Sequence, residues 1–364
     1  MHSTPQKRIY PFVDYIRFVS MAGIVWAHTD IFPGSSGFLS IFSEPQQFLS
    51  YIAFKQIFKF SVISFFMISG YLLADQLRII SPMTFLKRRL GVIVTPYVIA
   101  FTLFLILLTV QGEFIIPINA SVFTAGKLVL YKIFYSPYWF IPVYFFTLIT
   151  ILIFHRYVYK IWFGALLLLV TSYYTFSEVS QSKDHTTAFL GFVFYVWLGM
   201  IVNEYKIVDR IKKWNLSFLI ALVAIAFMLA CYQSYILFLS KTIFYFNNLR
   251  FFNQVYGILF FCLLVRICPE KPNFGILNPR KETYGIYLYH YFTVLFVLRP
   301  LIEWLNRKGW YYADNFLSLL FMFFCQFLFC YVITTAFVKL LNHYKIPVLG
   351  LNSNTINRRP FQEI

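Results

Sequence analysis

The chain is short of negative charge, with 14 Asp and Glu against 31 Lys and Arg in 364 residues, and only 12% of it is charged at all. A soluble domain carries about a quarter charged residues, so this chain cannot cover itself with a solvated surface. Cysteine is scarce as well. Cys231, Cys262, Cys268, Cys325 and Cys330 are odd in number, fall in or beside apolar runs and show no CxxC or zinc spacing. We read them as small packing residues and expect no metal. No GxGxxG, Walker, HExxH or GxSxG element occurs, which removes the usual dinucleotide, nucleotide, zinc-hydrolase and serine-hydrolase sites. Carboxylates within apolar runs are few, chiefly Asp14 and Glu303 near the ends of runs, whereas a proton-driven carrier wants an intramembrane carboxylate relay. The N-terminus is short and polar and has no small-residue cleavage pattern, so the first apolar run is expected to stay as an anchor. With no linker or low-complexity tract, residues 1–364 are expected to form a single integral-membrane domain with no appended soluble domain.

What is present is apolar: 60% hydrophobic and 22% aromatic, including 46 Phe and 27 Tyr. That much aromatic surface does not fit inside one water-soluble core. The runs are continuous and near twenty residues long, which suits helices and not the short alternating strands of a barrel. The expected fold class is all-α, a polytopic transmembrane helical bundle of about ten spans at 12–31, 54–75, 89–110, 137–154, 159–176, 187–203, 215–235, 251–267, 283–305 and 315–340. The run 121–135, with Lys127 and Lys132 among apolar residues, reads as an interfacial amphipathic helix.

The positive charges give an orientation. If the N-terminus is inside, 19 Lys and Arg fall in segments on that side, among them Lys87, Arg88, Arg89, Arg280 and Lys281, against 7 on the other. That asymmetry predicts both termini cytoplasmic and an even number of spans. The net charge of +17 is thus mostly a topology signal and implies no nucleic acid, because no soluble domain carries a basic stripe.

Two residues in the first run, Arg17 and His28, are costly to place in a bilayer-length helix and are functional candidates for that reason. Eleven residues apart, they project from nearly one face about 16 Å apart along the axis. A neutral imidazole is the form that takes a proton from a hydroxyl, so His28 is the candidate base; a hydrogen-bonded packing histidine is the plainer reading. Arg17 would bind phosphate, buttressed by Asp14 three residues earlier, or would simply pair with it. Arg88 and Arg89 open the third span as a cationic mouth for an acidic ligand or as topology charges. Ser69 and Gly70 permit close helix approach. Trp139 is an aromatic-belt anchor or a sugar-stacking platform. Tyr287 and His290 open the ninth span, with His290 a donor ligand or a packing hydrogen bond.

Taken in order, these residues resemble the acyltransferase-3 family of integral membrane proteins, bacterial members of which O-acylate surface glycans. Arg17 through His28 is similar to the arginine-ten-residues-histidine pattern of the family's first helix. Phe65-Phe66-Met67-Ile68-Ser69-Gly70-Tyr71 resembles its Phe-Phe-x-Ile-Ser-Gly-aromatic element, and Phe85-Leu86-Lys87-Arg88-Arg89-Leu90 with Pro96-Tyr97 its basic lead-in to the third helix. Trp139-Phe140 and Ile286-Tyr287-Leu288-Tyr289-His290 match later landmarks. The chain departs from the family at Val92, where a further arginine is common.

The resemblance implies a membrane O-acyltransferase in the bacterial plasma membrane. Its donor would be cytoplasmic acyl-CoA, acetyl-CoA by expectation, held by Arg17, Arg88, Arg89 and His290. Its acceptor would be a hydroxyl of a cell-envelope glycan or lipid-linked precursor. His28 would be catalytic, deprotonating that hydroxyl or briefly carrying the acyl group, with Asp14, Ser69, Gly70, Trp139 and Tyr287 in support. The alternative is an exporter or flippase of a polysaccharide or its precursor without acyl transfer. Acceptor identity and oligomeric state are not legible.

Overall fold

The computed structural model describes residues 10–31, 45–117, 119–176, 185–242, 244–311 and 316–344, and these contain helices and no strand. In chain order they are α1 (Pro11–His28), α2 (Pro45–Gln56), α3 (Phe60–Leu77), α4 (Pro82–Val110), α5 (Val122–Phe134), α6 (Phe140–Ile153), α7 (Ile161–Phe176), α8 (Val193–Glu204), α9 (Ile207–Ile211), α10 (Leu216–Leu239), α11 (Phe251–Ile267), α12 (Pro279–Thr293), α13 (Arg299–Arg307) and α14 (Phe316–His343).

Among the described residues, five stretches are long and apolar enough to cross a bilayer: Phe48–Leu77, Pro82–Val110, Leu216–Leu239, Pro279–Arg307 and Leu317–His343. The pair Val122–Phe134 and Pro137–Ile153, bent by 88°, makes a sixth if it counts as one span. Of the other expected spans, α7, α8 and α11 are apolar but shorter, and α1 is diluted by Asp14, Arg17 and His28. The chain is a multi-pass membrane protein.

Several boundaries differ from expectation for local reasons. The stretch expected at 54–75 begins earlier, at Phe48, and a turn at 57–59 divides it into α2, which Lys55 and Gln56 close, and α3. The helix expected at 89 begins at Pro82, where Ser81 accepts a hydrogen bond from the Thr84 N–H and proline sits in the first turn, both strong starting signals. Lys87, Arg88 and Arg89 therefore lie inside a helix. α5 buries no residue and turns sharply into the segment that follows.

Among the described residues, the most extensive helix pairing is α3 against α8. A Cβ on Gly70 would stand 1.9 Å from the Val196 carbonyl oxygen, and one on Gly199 would stand 1.9 Å from that of Met67. Two glycines, one per helix, let the backbones touch. α1 lies against α3, α11, α12 and α14, which puts the helix that carries the candidate base in the middle of the bundle. Beyond α12 the backbone widens into a π turn at Val294–Leu298 before continuing as α13. Pro300 accounts for this, because its ring displaces the carbonyl four residues back.

Candidate active site

α1 and α12 are neighbours from opposite parts of the chain, joined at both ends of their contact. At one end Asp14, only 7% exposed, accepts from Arg280 through Nε at 2.7 Å and Nη2 at 2.5 Å on Oδ2. Its Oδ1 takes a longer bond of 3.3 Å from Arg17 Nη1. Arg89 and Arg280 both stand near enough to Arg17 to repel it, and the Arg89 guanidinium lies 5.2 Å over the Phe85 ring. Two guanidiniums thus share one carboxylate with a third close by, and the surplus positive charge suits a phosphate-bearing ligand. Arg88 is exposed and does not join them; adjacent residues on a helix point in directions about 100° apart.

At the other end His28 meets His290, ring centres 5.3 Å apart, and Tyr291 at 5.7 Å. His290 is wholly buried. It lies beside His28 and ten residues, about 15 Å of helix, from Arg280, so it belongs to the imidazole end and not among the arginines where a donor-phosphate ligand would stand. Arg17 and His28 do share a face of α1, since both meet α12.

The end of α1 is held by groups the sequence reading passed over. Lys55, 8% exposed, donates to the Ala27 carbonyl at 2.7 Å and pairs with Asp30 at 2.8 Å. The Tyr51 hydroxyl also donates to Asp30, at 2.7 Å. Gln326 grips the chain just beyond, accepting from the Ile31 N–H and donating to the Ile31 carbonyl, each at 3.0 Å. A cation on the last carbonyls of a helix is favourable in itself; here it also sets where His28 stands.

Trp139 and Tyr138 are not belt residues. Both are buried, Trp139 at 7% exposure, because a short 3-10 turn at Pro137–Trp139 folds them inward. The Tyr138 hydroxyl donates to the Leu288 carbonyl at 2.8 Å, and the Tyr287 hydroxyl donates back to the Pro137 carbonyl at 2.7 Å. This reciprocal clamp fixes the turn of α12 that precedes His290. Ser69 donates to the Phe65 carbonyl at 2.7 Å within its own helix. Among the described residues no three His, Cys, Asp or Glu gather as a metal site would.

This pairing of a cationic end with a histidine end spans the region covered by one family model, described as an acyltransferase domain, which matches residues 10–335. The chain belongs to the acyltransferase-3 family. No curated protein and no solved structure matches it. As an acyltransferase-3 protein it is a membrane acyltransferase, and its residues can be weighed in that light. Arg280 was hidden among the topology charges, although its ten-residue spacing to His290 echoes that of Arg17 to His28. Lys55 and Asp30 stood at the rims of apolar runs with no spacing to link them.

Lys55→Met keeps the apolar stem, deletes the ammonium and leaves Asp30 without its cation. We expect a fall in acyl-transfer turnover of about tenfold to a hundredfold, the scale of a misplaced catalytic group, with protein abundance maintained. Turnover equal to wild type at matched abundance would mean that Gln326 alone holds the end of α1.

Proposed function

We propose that the chain is an O-acyltransferase that moves an acyl group, acetyl in the simplest case, from cytoplasmic acyl-CoA to a hydroxyl of a cell-envelope glycan or its lipid-linked precursor. The observation that carries this reading is the α1–α12 pair, with guanidiniums at one end and imidazoles at the other about 16 Å along the helix. Such a pair suits a donor whose phosphates and thioester lie far apart. The reading takes ten crossings, the shorter α7, α8 and α11 included, with both termini cytoplasmic in a bacterial plasma membrane. The Lys and Arg asymmetry of the loops supports that orientation.

On this reading Arg17, Arg89 and Arg280 hold the donor's phosphates while Asp14 sets the angle of two of them. The acceptor hydroxyl gives its proton to a ring nitrogen of His28 as its oxygen attacks the thioester carbonyl carbon. The carbon–sulfur bond then breaks, and the departing thiolate takes the proton back from His28. The products are an ester and a free thiol, and His28 returns to its neutral state.

The test compares ester content of surface glycans by NMR in cells with no protein, with wild type and with His28→Ala at matched membrane abundance. Ester only in the wild type is the expected result. Glycan free of ester throughout, with polymer missing from the surface only when the protein is absent, would replace this reading with export.

A further inference from the structure

His290 carries a buried lone pair that nothing in the fold uses. Its Nδ1 lies 2.8 Å from the Tyr287 carbonyl oxygen and 3.2 Å from that of Ile286. Carbonyl oxygens only accept, so in the neutral ring Nδ1 holds the hydrogen and Nε2 the lone pair. Nε2 is fully enclosed and meets no donor. Leaving such an atom unmet costs about 1–3 kcal/mol, and an orphan of this kind in a packed core calls for an explanation.

The surroundings narrow the choice of donor. The Tyr287 hydroxyl is committed to Pro137, and the Cys330 thiol lies against the His290 carbonyl, not its ring. Asp30, two residues beyond His28, is paired with Lys55 and Tyr51. The ring that faces His290 most closely is His28, at 5.3 Å between centres and 42° between planes. Two imidazoles that share one N–H···N bond of ordinary length have centres about 5.2 Å apart. The separation of the two rings is that of such a bond.

We propose that His290 is the positioning residue of His28, its Nε2 accepting the N–H of one His28 nitrogen so that the other is the nitrogen that takes the acceptor's proton. This rests on the acyltransfer reading above and adds to it a neutral orienting partner in the place where hydrolytic triads use a carboxylate. The same bond steadies the imidazolium while His28 holds the proton. The clamp between Tyr138, Tyr287 and the backbone of α12 is what keeps the His290 ring in place.

The test pairs two substitutions with a spectroscopic readout. His290→Asn leaves the Nε2 position empty, whereas the His290→Gln amide oxygen reaches it. Asn is expected to lower kcat on the order of a hundredfold, less than loss of a charged orienter, with the KM for acyl-CoA unchanged. Gln should restore kcat to within about tenfold of wild type. In 15N-histidine NMR of the unliganded protein, with His28→Ala as the assignment control, His28 should hold one tautomer in the wild type and Gln variant and mix two in the Asn variant. An Asn variant with wild-type kcat and an unmixed His28 would overturn the proposal. So would Asn and Gln variants equally impaired with the His28 tautomer unmoved, which is the mark of packing alone. The NMR arm needs no acyl transfer, so a wild type that forms no ester would end the reading above and leave this one to be judged on the tautomer.

Discussion

Gly199→Val and Gly70→Val are each expected to abolish recovery of monodisperse protein. A Cβ at either position would stand 1.9 Å from a backbone oxygen of the facing helix, and backbone cannot step aside as a flexible side-chain tip can. Overpacking a core costs about 1–3 kcal/mol where side chains can rearrange; here two helices must separate, so the loss should exceed that range and approach the stability of a whole domain. Alanine already supplies the offending atom, so Gly199→Ala should also lower the thermal midpoint in detergent by several degrees. Size-exclusion profiles of fluorescent fusions provide the readout. Valine variants of both glycines that elute as wild type would mean that α3 and α8 cross elsewhere. The double variant should be no worse than either single one, because both open the same crossing.

If the proposed acyl-CoA donor is held by Arg17, Arg89 and Arg280, Arg280→Ala is expected to raise the KM for acyl-CoA by about tenfold or more while sparing kcat, the signature of lost ground-state and transition-state binding in equal measure. The reasoning is one of charge balance. With Arg280 present, Asp14 gives most of its hydrogen bonding to that residue and leaves Arg17 a 3.3 Å contact. Without it, Asp14 would turn to Arg17 and neutralise the cation that the proposal gives to the donor. Arg280→Lys keeps the charge but loses the two-nitrogen grip on one carboxylate oxygen, so it should fall between the two. Arg88→Ala, on the exposed side of α4, should leave KM nearly unchanged. A matching rise in both Arg88 and Arg280 variants would point to general attraction by the surface and not to a built site. Steady-state kinetics in membranes at two salt concentrations separate these cases, since the general attraction is screened and the close contact much less so.

How much of this was legible depended on whether a residue's partner lay nearby in sequence. Arg17, Asp14 and His28 share one helix, so their common face follows from helical geometry, and the structure does turn both Arg17 and His28 toward α12. Gly70 inside an apolar run signalled a close approach, although nothing in the run named Gly199 as the opposite glycine. Long-range pairs were hidden. Arg280 read as one topology charge among many because its partner Asp14 is 266 residues away. His290 read as a donor ligand or a packing hydrogen bond because no spacing linked it to His28, 262 residues earlier; α12 brings the two rings to 5.3 Å. Trp139 misled for another reason. Aromatics at the start of a span usually anchor in the interface, and only the inward 3-10 turn shows that these two are buried.

Because the two halves of the site come from opposite ends of the chain, the order of synthesis matters. α1 emerges from the ribosome with an arginine, an aspartate and a histidine exposed on one face, and their partners on α12 are made only after most of the other helices. Until then the nascent protein carries a polar stripe, paired only between Asp14 and Arg17, that must be sheltered by water, lipid headgroups or an insertion factor. A chain released before α12 would lack Arg280 and His290. Two fragments divided in the loop between α10 and α11, made in one cell, would each own half of the machinery and regain it only by finding one another in the membrane.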